Sequence, residues 1–168
     1  MKRKTNKKAW DALKAKHPDY LIQAGWFEES KYSNGAPMGG IAAVQNYGAV
    51  INQSRGDSSW VIVIPPTHFW EAAQEENKVK WKQKFKEAWL AVFLGNINPD
   101  KAMEQIGFMI EGDIAKAIAA VEQPPLKEST IKKRKSRYKD KKTVGSLTKR
   151  LVDTGQMFDA VSHKVTKI

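Results

Sequence analysis

The sequence predicts an α+β domain, a small and mainly antiparallel sheet packed against two long helices, with a basic helix or arm at the N-terminus. Three observations lead there. Short apolar runs at 20–27, 60–64 and 162–168 have strand character. Two long segments between the second and third run repeat their apolar residues at helical spacing. Three strands are too few for a sandwich, so the helices are expected to cover one face of the sheet.

Taken in order, residues 3–17 are rich in Lys and Ala, carry Trp10 and Leu13 at i, i+3 and stop before Pro18, which predicts a short helix. Residues 1–18 are therefore read as an arm and 19–168 as a single domain. Tyr20 to Phe27 reads as a strand, followed by a loop rich in Gly, Pro, Ser and Asn between 33 and 40. Ile41 to Tyr47 reads as a short helical turn with Ile41, Val44 and Gln45 on one side, stopped by Gly48. Asn52 to Ser59 reads as a polar loop. Trp60 to Ile64 is a β-branched and aromatic run suited to a buried strand, and Pro65 and Pro66 end it because neither can donate to a sheet ladder.

Trp81, Phe85, Ala88, Trp89, Val92 and Phe93 recur at helical spacing with lysines between them, predicting a helix from near His68 to Leu94, capped by Gly95. Asn98-Pro99 is an N-cap and N1 pair for a second helix, striped by Met103, Ile106, Ile110, Ile114, Ile118 and Val121 and stopped by Pro124 and Pro125. The Lys/Arg run of 127–142 has little apolar content and reads as a frayed helix or a loop. A Val-Asp-Thr-Gly turn, an apolar turn over Met157 to Val161 and an alternating final strand complete the chain.

Composition narrows the function. A chain of 168 residues with six Trp, six Phe and 41% hydrophobic residues can bury a core, and a mean hydropathy of −0.56 describes a polar exterior. No apolar run approaches the roughly 18 to 20 residues of a membrane span, and Ala9, Trp10 and Asp11 stand where a signal peptide would have its apolar core. Synthesis in the cytoplasm without a membrane step is expected. With no cysteine, disulfides, thiolate catalysis and Cys-based zinc sites are excluded.

The net charge of +11 is unevenly distributed. Residues 1–16 carry a net +6 and residues 127–150 a net +9, around a body at 17–126 of net −4. Basic segments of this kind meet nucleic acid or an acidic protein surface, or simply form a solvated tail. The run holds a single aromatic, Tyr138, so a base-stacking platform is unsupported and any nucleic-acid contact would be diffuse and sequence-independent.

Catalytic chemistry is sparse. His17, His68 and His163 have no HExxH spacing and no carboxylate placed to complete a zinc site, so neither a metal nor a cofactor is expected. The Gly35 to Gly40 loop lacks the lysine and hydroxyl residue of a phosphate-cradling loop. Asp153-Thr154-Gly155 is similar to the nucleophile turn of aspartic proteases. Against that reading, Gln156 replaces a small residue and only 13 residues follow Gly155, too few for the flap and barrel. The expected role of these three residues is a structural turn, with Asp153 accepting backbone N–H bonds as an N-cap and Gly155 permitting tight geometry.

In order along roughly residues 20 to 165, the chain carries Ile41-Ala42-Ala43-Val44-Gln45-Asn46-Tyr47-Gly48-Ala49, Ile64-Pro65-Pro66-Thr67-His68-Phe69 and Gly95. Then come Ala102-Met103-Glu104-Gln105-Ile106-Gly107, Pro124-Pro125-Leu126 with Thr130 and Lys132, and Leu151-Val152-Asp153-Thr154-Gly155-Gln156-Met157. This ordered set resembles a family of neck and tail-completion proteins of tailed bacteriophages that join head to tail. It departs where Gln45-Asn46 replaces an Asn-Glu pair and Thr67-His68 an Arg-Pro pair.

The resemblance implies a non-enzymatic virion structural protein, made in the host cytoplasm. It would assemble into a six- or twelve-fold ring in the neck or at the head-proximal end of the tail, against connector, head-closure, tail-terminator or tail-tube proteins. On that reading the interface or DNA-channel candidates are Lys132, Lys133, Arg134, Lys135, Arg137, Lys139, Lys141, Lys142, Lys149 and Arg150, which could face a partner or packaged DNA. The alternative is a free, basic, sequence-independent nucleic-acid-binding protein.

Overall fold

The computed structural model describes residues 19–139 and 146–168. The predicted helix at 3–17, with Lys141 and Lys142, lies outside them. The elements run β1 (Tyr20–Gly25), α1 (Met38–Tyr47), β2 (Ala49–Arg55), β3 (Ser58–Ile64), α2 (Phe69–Phe93), α3 (Pro99–Ala120), α4 (Glu128–Arg137), α5 (Gln156–Asp159) and β4 (Ser162–Lys167). The class is α+β, as expected. The strands, however, form two separate antiparallel pairs, β1 with β4 and β2 with β3, instead of one sheet.

The longest helices, α2 and α3, are joined by a short turn in which Gly95 takes φ 75 and Asn98 caps α3 by accepting from the Asp100 amide at 2.8 Å. The stripe on α3 faces inward as its spacing predicts: Met103, Ile106, Ile114 and Ile118 are buried. Phe69, at the start of α2, packs with Ile114, Ile118, Leu151, Met157 and Val161 in one core cluster, while Val92, Ala102 and Met103 form a second under β1 and β4. Between the helices, buried Asp113 lies 2.5 Å from Lys80 Nζ and accepts from Trp81 Nε1 at 2.8 Å, so its charge is compensated inside the helix pair.

The terminal strands close the fold. β1 and β4 pair from Tyr20↔Lys167 to Gly25↔Ser162 and lie against α3. Gly107 makes that approach possible, because a Cβ there would fall inside the His163 imidazole of β4. His163 is held by Glu111 Oε2 at 2.6 Å and Glu104 Oε2 at 2.9 Å, with Phe108 edge-on at a centroid distance of 4.4 Å. Burial opposes its charge, but the two carboxylates outweigh burial and raise its pKa above the usual histidine value.

Two expectations are corrected. Asn52 to Ser59 is the distal half of a β-hairpin and not a loop: β2 and β3 pair over their whole length across a two-residue turn, with Gly56 at φ 57 in the first turn position, where a hairpin turn tolerates positive φ. For the basic run, read as a frayed helix or a loop, the helix holds over Glu128–Arg137. The second correction is that β3 is not a buried strand, as described next.

Candidate assembly site

The β2–β3 hairpin inverts the usual placement of apolar residues. Its register puts Ile51, Trp60 and Ile62 on one face and Val50, Val61 and Val63 on the other. Both faces are exposed, one more than the other: Val50, Val61 and Val63 to 68%, 59% and 55%, and Ile51, Trp60 and Ile62 to 37%, 43% and 38%. Among the described residues, neither strand makes more than marginal contact with any other helix or strand. A two-stranded ribbon is only marginally stable alone in water, and a contiguous apolar surface on a soluble chain marks a place where another molecule sits.

The root of the hairpin is the opposite, a joint in which each approaching segment is bonded. Gly48 enters β2 at φ 79, and a Cβ there would lie 2.8 Å from the Ile64 carbonyl oxygen and 3.0 Å from Pro66 Cδ. Leaving β3, Thr67 donates through both its amide and its hydroxyl to the Gln45 carbonyl, at 3.1 and 2.9 Å. Asn46, buried at the end of α1, accepts from the Trp70 amide at 2.9 Å and donates to the Glu71 carboxylate. That hydrogen bond is the main reason the Glu71 pKa is lowered. His68 precedes α2 at φ 52, a conformation closed to proline, so the Arg-Pro pair of the resembled family could not stand at 67–68 on this backbone.

Two of the predicted basic residues complete the joint. Arg150 reaches across it, donating to the Pro65 carbonyl at 2.6 Å and the Pro124 carbonyl at 3.2 Å. Burial lowers its pKa from the usual arginine value. Arg134, 6% exposed, donates to the carbonyls of Ser146, Lys149 and Arg150 at 2.7 to 3.1 Å, and its Nε lies 3.2 Å from Asp153 Oδ1 without the alignment of a hydrogen bond. The planar guanidinium fork suits this work, since it satisfies several acceptors from one side chain.

Asp153 was expected to cap backbone amides. Instead it accepts from Arg137 Nη1 at 3.0 Å and Tyr138 Oη at 3.1 Å, and Gly155, at φ 83, occupies the N-cap of α5. The reason is helical spacing: Arg134 and Arg137 share one face of α4, Tyr138 follows at its C-cap, and the three converge on a single carboxylate. Thr154 Oγ1 accepts from the Gln156 amide at 3.4 Å, and the tight turn assigned to Gly155 is present.

The remaining candidates divide by exposure. Lys149 donates to the Ala119 carbonyl at 2.8 Å, near the C-terminal end of α3, and Lys132 lies 3.5 Å from Glu128 on the same helix. Lys133, Lys135 and Lys139 are exposed. The basic run is thus part scaffold and part surface.

Sequence reasoning missed the hairpin. Its signal was present in the apolar ends Ala49-Val50-Ile51 and Ile62-Val63-Ile64 mirrored about Gly56-Asp57, but the polar Asn52-Gln53-Ser54 between them obscured it. Compared with known protein families, curated proteins and solved structures, the chain matches none.

Proposed function

We propose that this chain is a virion structural protein of a tailed phage, a ring subunit in the neck or at the head-proximal end of the tail that joins head to tail without catalysing a reaction. The observation that carries this reading is the bonded root of a hairpin whose apolar faces stay exposed among the described residues. Such an element suits a subunit whose folding is completed by neighbours. Three of the motif residues behind the family resemblance support it: Pro65, Pro124 and Asp153 meet Arg150 or Arg134 in one bonded joint at or beside the hairpin root, a structural and not a chemical reason for their occurrence together.

The test is the composition of purified particles. The protein is expected at a fixed small multiple per particle, labelled by antibody at the head–tail junction, and loss of its gene is expected to leave filled heads and tails unjoined. Particles that lack the protein, or that join normally without it, would exclude the role.

A second reading, a free nucleic-acid-binding protein, draws on the exposed Lys133, Lys135 and Lys139. It predicts monomer binding to duplex DNA that weakens steeply and linearly in log–log form with salt.

A further inference from the structure

A second apolar surface lies away from the hairpin: a groove of about 440 Å³ between β1, α2 and α3. Tyr20, Ile22, Trp81, Phe85, Ile106 and Ile110 line it, and Lys82 and Lys86 stand at its rim. β1 pairs only with β4 among the described residues, which leaves its other edge without a strand partner there. The chain therefore offers an apolar ribbon at one place and an apolar cleft with a free strand edge at another. Two different surfaces that complement one another are what a head-to-tail contact between copies requires.

Resting on the ring-subunit reading, we propose that the β2–β3 hairpin of one copy seats in the β1–α2–α3 groove of the next. Charge favours this occupant over the chain's own N-terminal arm. Residues 1–16 carry a net +6 and would approach two rim lysines, whereas the hairpin balances Arg55 with Asp57 and is otherwise uncharged. The hairpin also supplies apolar side chains on both faces, one for the cleft and one for the covering subunit, while the apolar stripe of the arm is limited to Trp10 and Leu13. An added strand at the β1 edge would supply main-chain hydrogen bonds, with the side chains deciding register.

The contact is tested by complementation of two variants of the full chain, Val61→Lys in the hairpin and Phe85→Lys in the groove, followed by sedimentation velocity. Each alone is expected to weaken self-association at least tenfold. Mixed in equal amounts they are expected to restore a single interface and form one-to-one dimers that grow no further. Unfolding transitions check that both variants fold, and Phe85→Ser replaces Phe85→Lys if the charge prevents folding.

Three results overturn the proposal. Loss of association in Val61→Lys with none in Phe85→Lys means that hairpins pair with hairpins. Association that strengthens tenfold on deleting residues 1–18 means that the arm fills the groove. A wild-type chain still monomeric at about 1 mM, a concentration that populates even contacts of roughly 4 kcal/mol, means that the surfaces do not bind. The function is judged separately: a chain found in particles whose association ignores both substitutions keeps the neck role and loses this contact.

Discussion

The root and the blade of the β2–β3 hairpin follow opposite rules. At the root, Arg134 and Arg150 span backbone carbonyls from three separate segments, leaving only their own Nε atoms without a hydrogen bond. A few residues away, the blade leaves six large apolar side chains in water. Charge has gone inside and grease outside. The difference teaches that the basic run is not one functional unit: buried Arg134 and half-buried Arg150 tie the hairpin root to its neighbours, while the hairpin supplies the surface to be covered.

The comparison breaks most severely at Arg134. Arg134→Met removes the donor to three carbonyls and the cation beside Asp153, and is expected to cost about 3 to 5 kcal/mol in urea denaturation. Arg134→Lys should recover only part of this, because one ammonium cannot reproduce the fork. At the other side of the joint, Gly48→Ala adds a Cβ 2.8 Å from the Ile64 carbonyl at a positive φ, and should cost about 2 to 3 kcal/mol by the same measurement.

Gly107→Ala inverts a rule of helix propensity. On an exposed helix the change would stabilise by up to about 1 kcal/mol, but here it collides with His163 and should destabilise by about 1 to 3 kcal/mol. The same histidine sets a pH dependence. Its folded pKa is raised, so the protonated form stabilises the fold fully below the unfolded value of about 6.5, and this contribution is lost as pH rises through the folded value. His163→Gln should flatten that part of the stability profile measured by thermal unfolding.

The smallest effect is expected at the blade. Val61→Lys should change monomer stability by no more than about 0.5 kcal/mol, because the side chain is 59% exposed and its strand meets little beyond its own hairpin among the described helices and strands. A loss comparable to that of Arg134→Met would show that the blade is part of the monomer core and would remove the contrast. Replacing Lys133, Lys135 and Lys139 by Gln should likewise leave stability unchanged, and any effect on DNA binding would appear only as a shallower salt dependence.

Much of this fold was legible because local rules and tertiary packing agreed. The α3 stripe, the Asn98-Pro99 start, the Gly95 and Gly48 stops and the terminal strand all rest on spacing or on one residue's backbone chemistry, which neighbours in sequence suffice to specify. The hairpin was obscured where its polar centre lowered β-propensity, and the exposed Phe85 and Phe93 on α2 sit at positions whose spacing alone would assign them to the core. Periodicity identifies an apolar face, but not whether the chain itself covers it.

By itself the sequence determined the class, the helix pair with its boundaries, and the absence of cysteine chemistry, since each depends on residue type and local order. The separation of the strands into two pairs and the use of Arg134 and Arg150 as internal struts were decided only in three dimensions. So was the exposure of an apolar hairpin. The physical reason is range: a guanidinium 85 residues from its carbonyl partner, or a ribbon left exposed among the described residues, is specified by how distant segments pack.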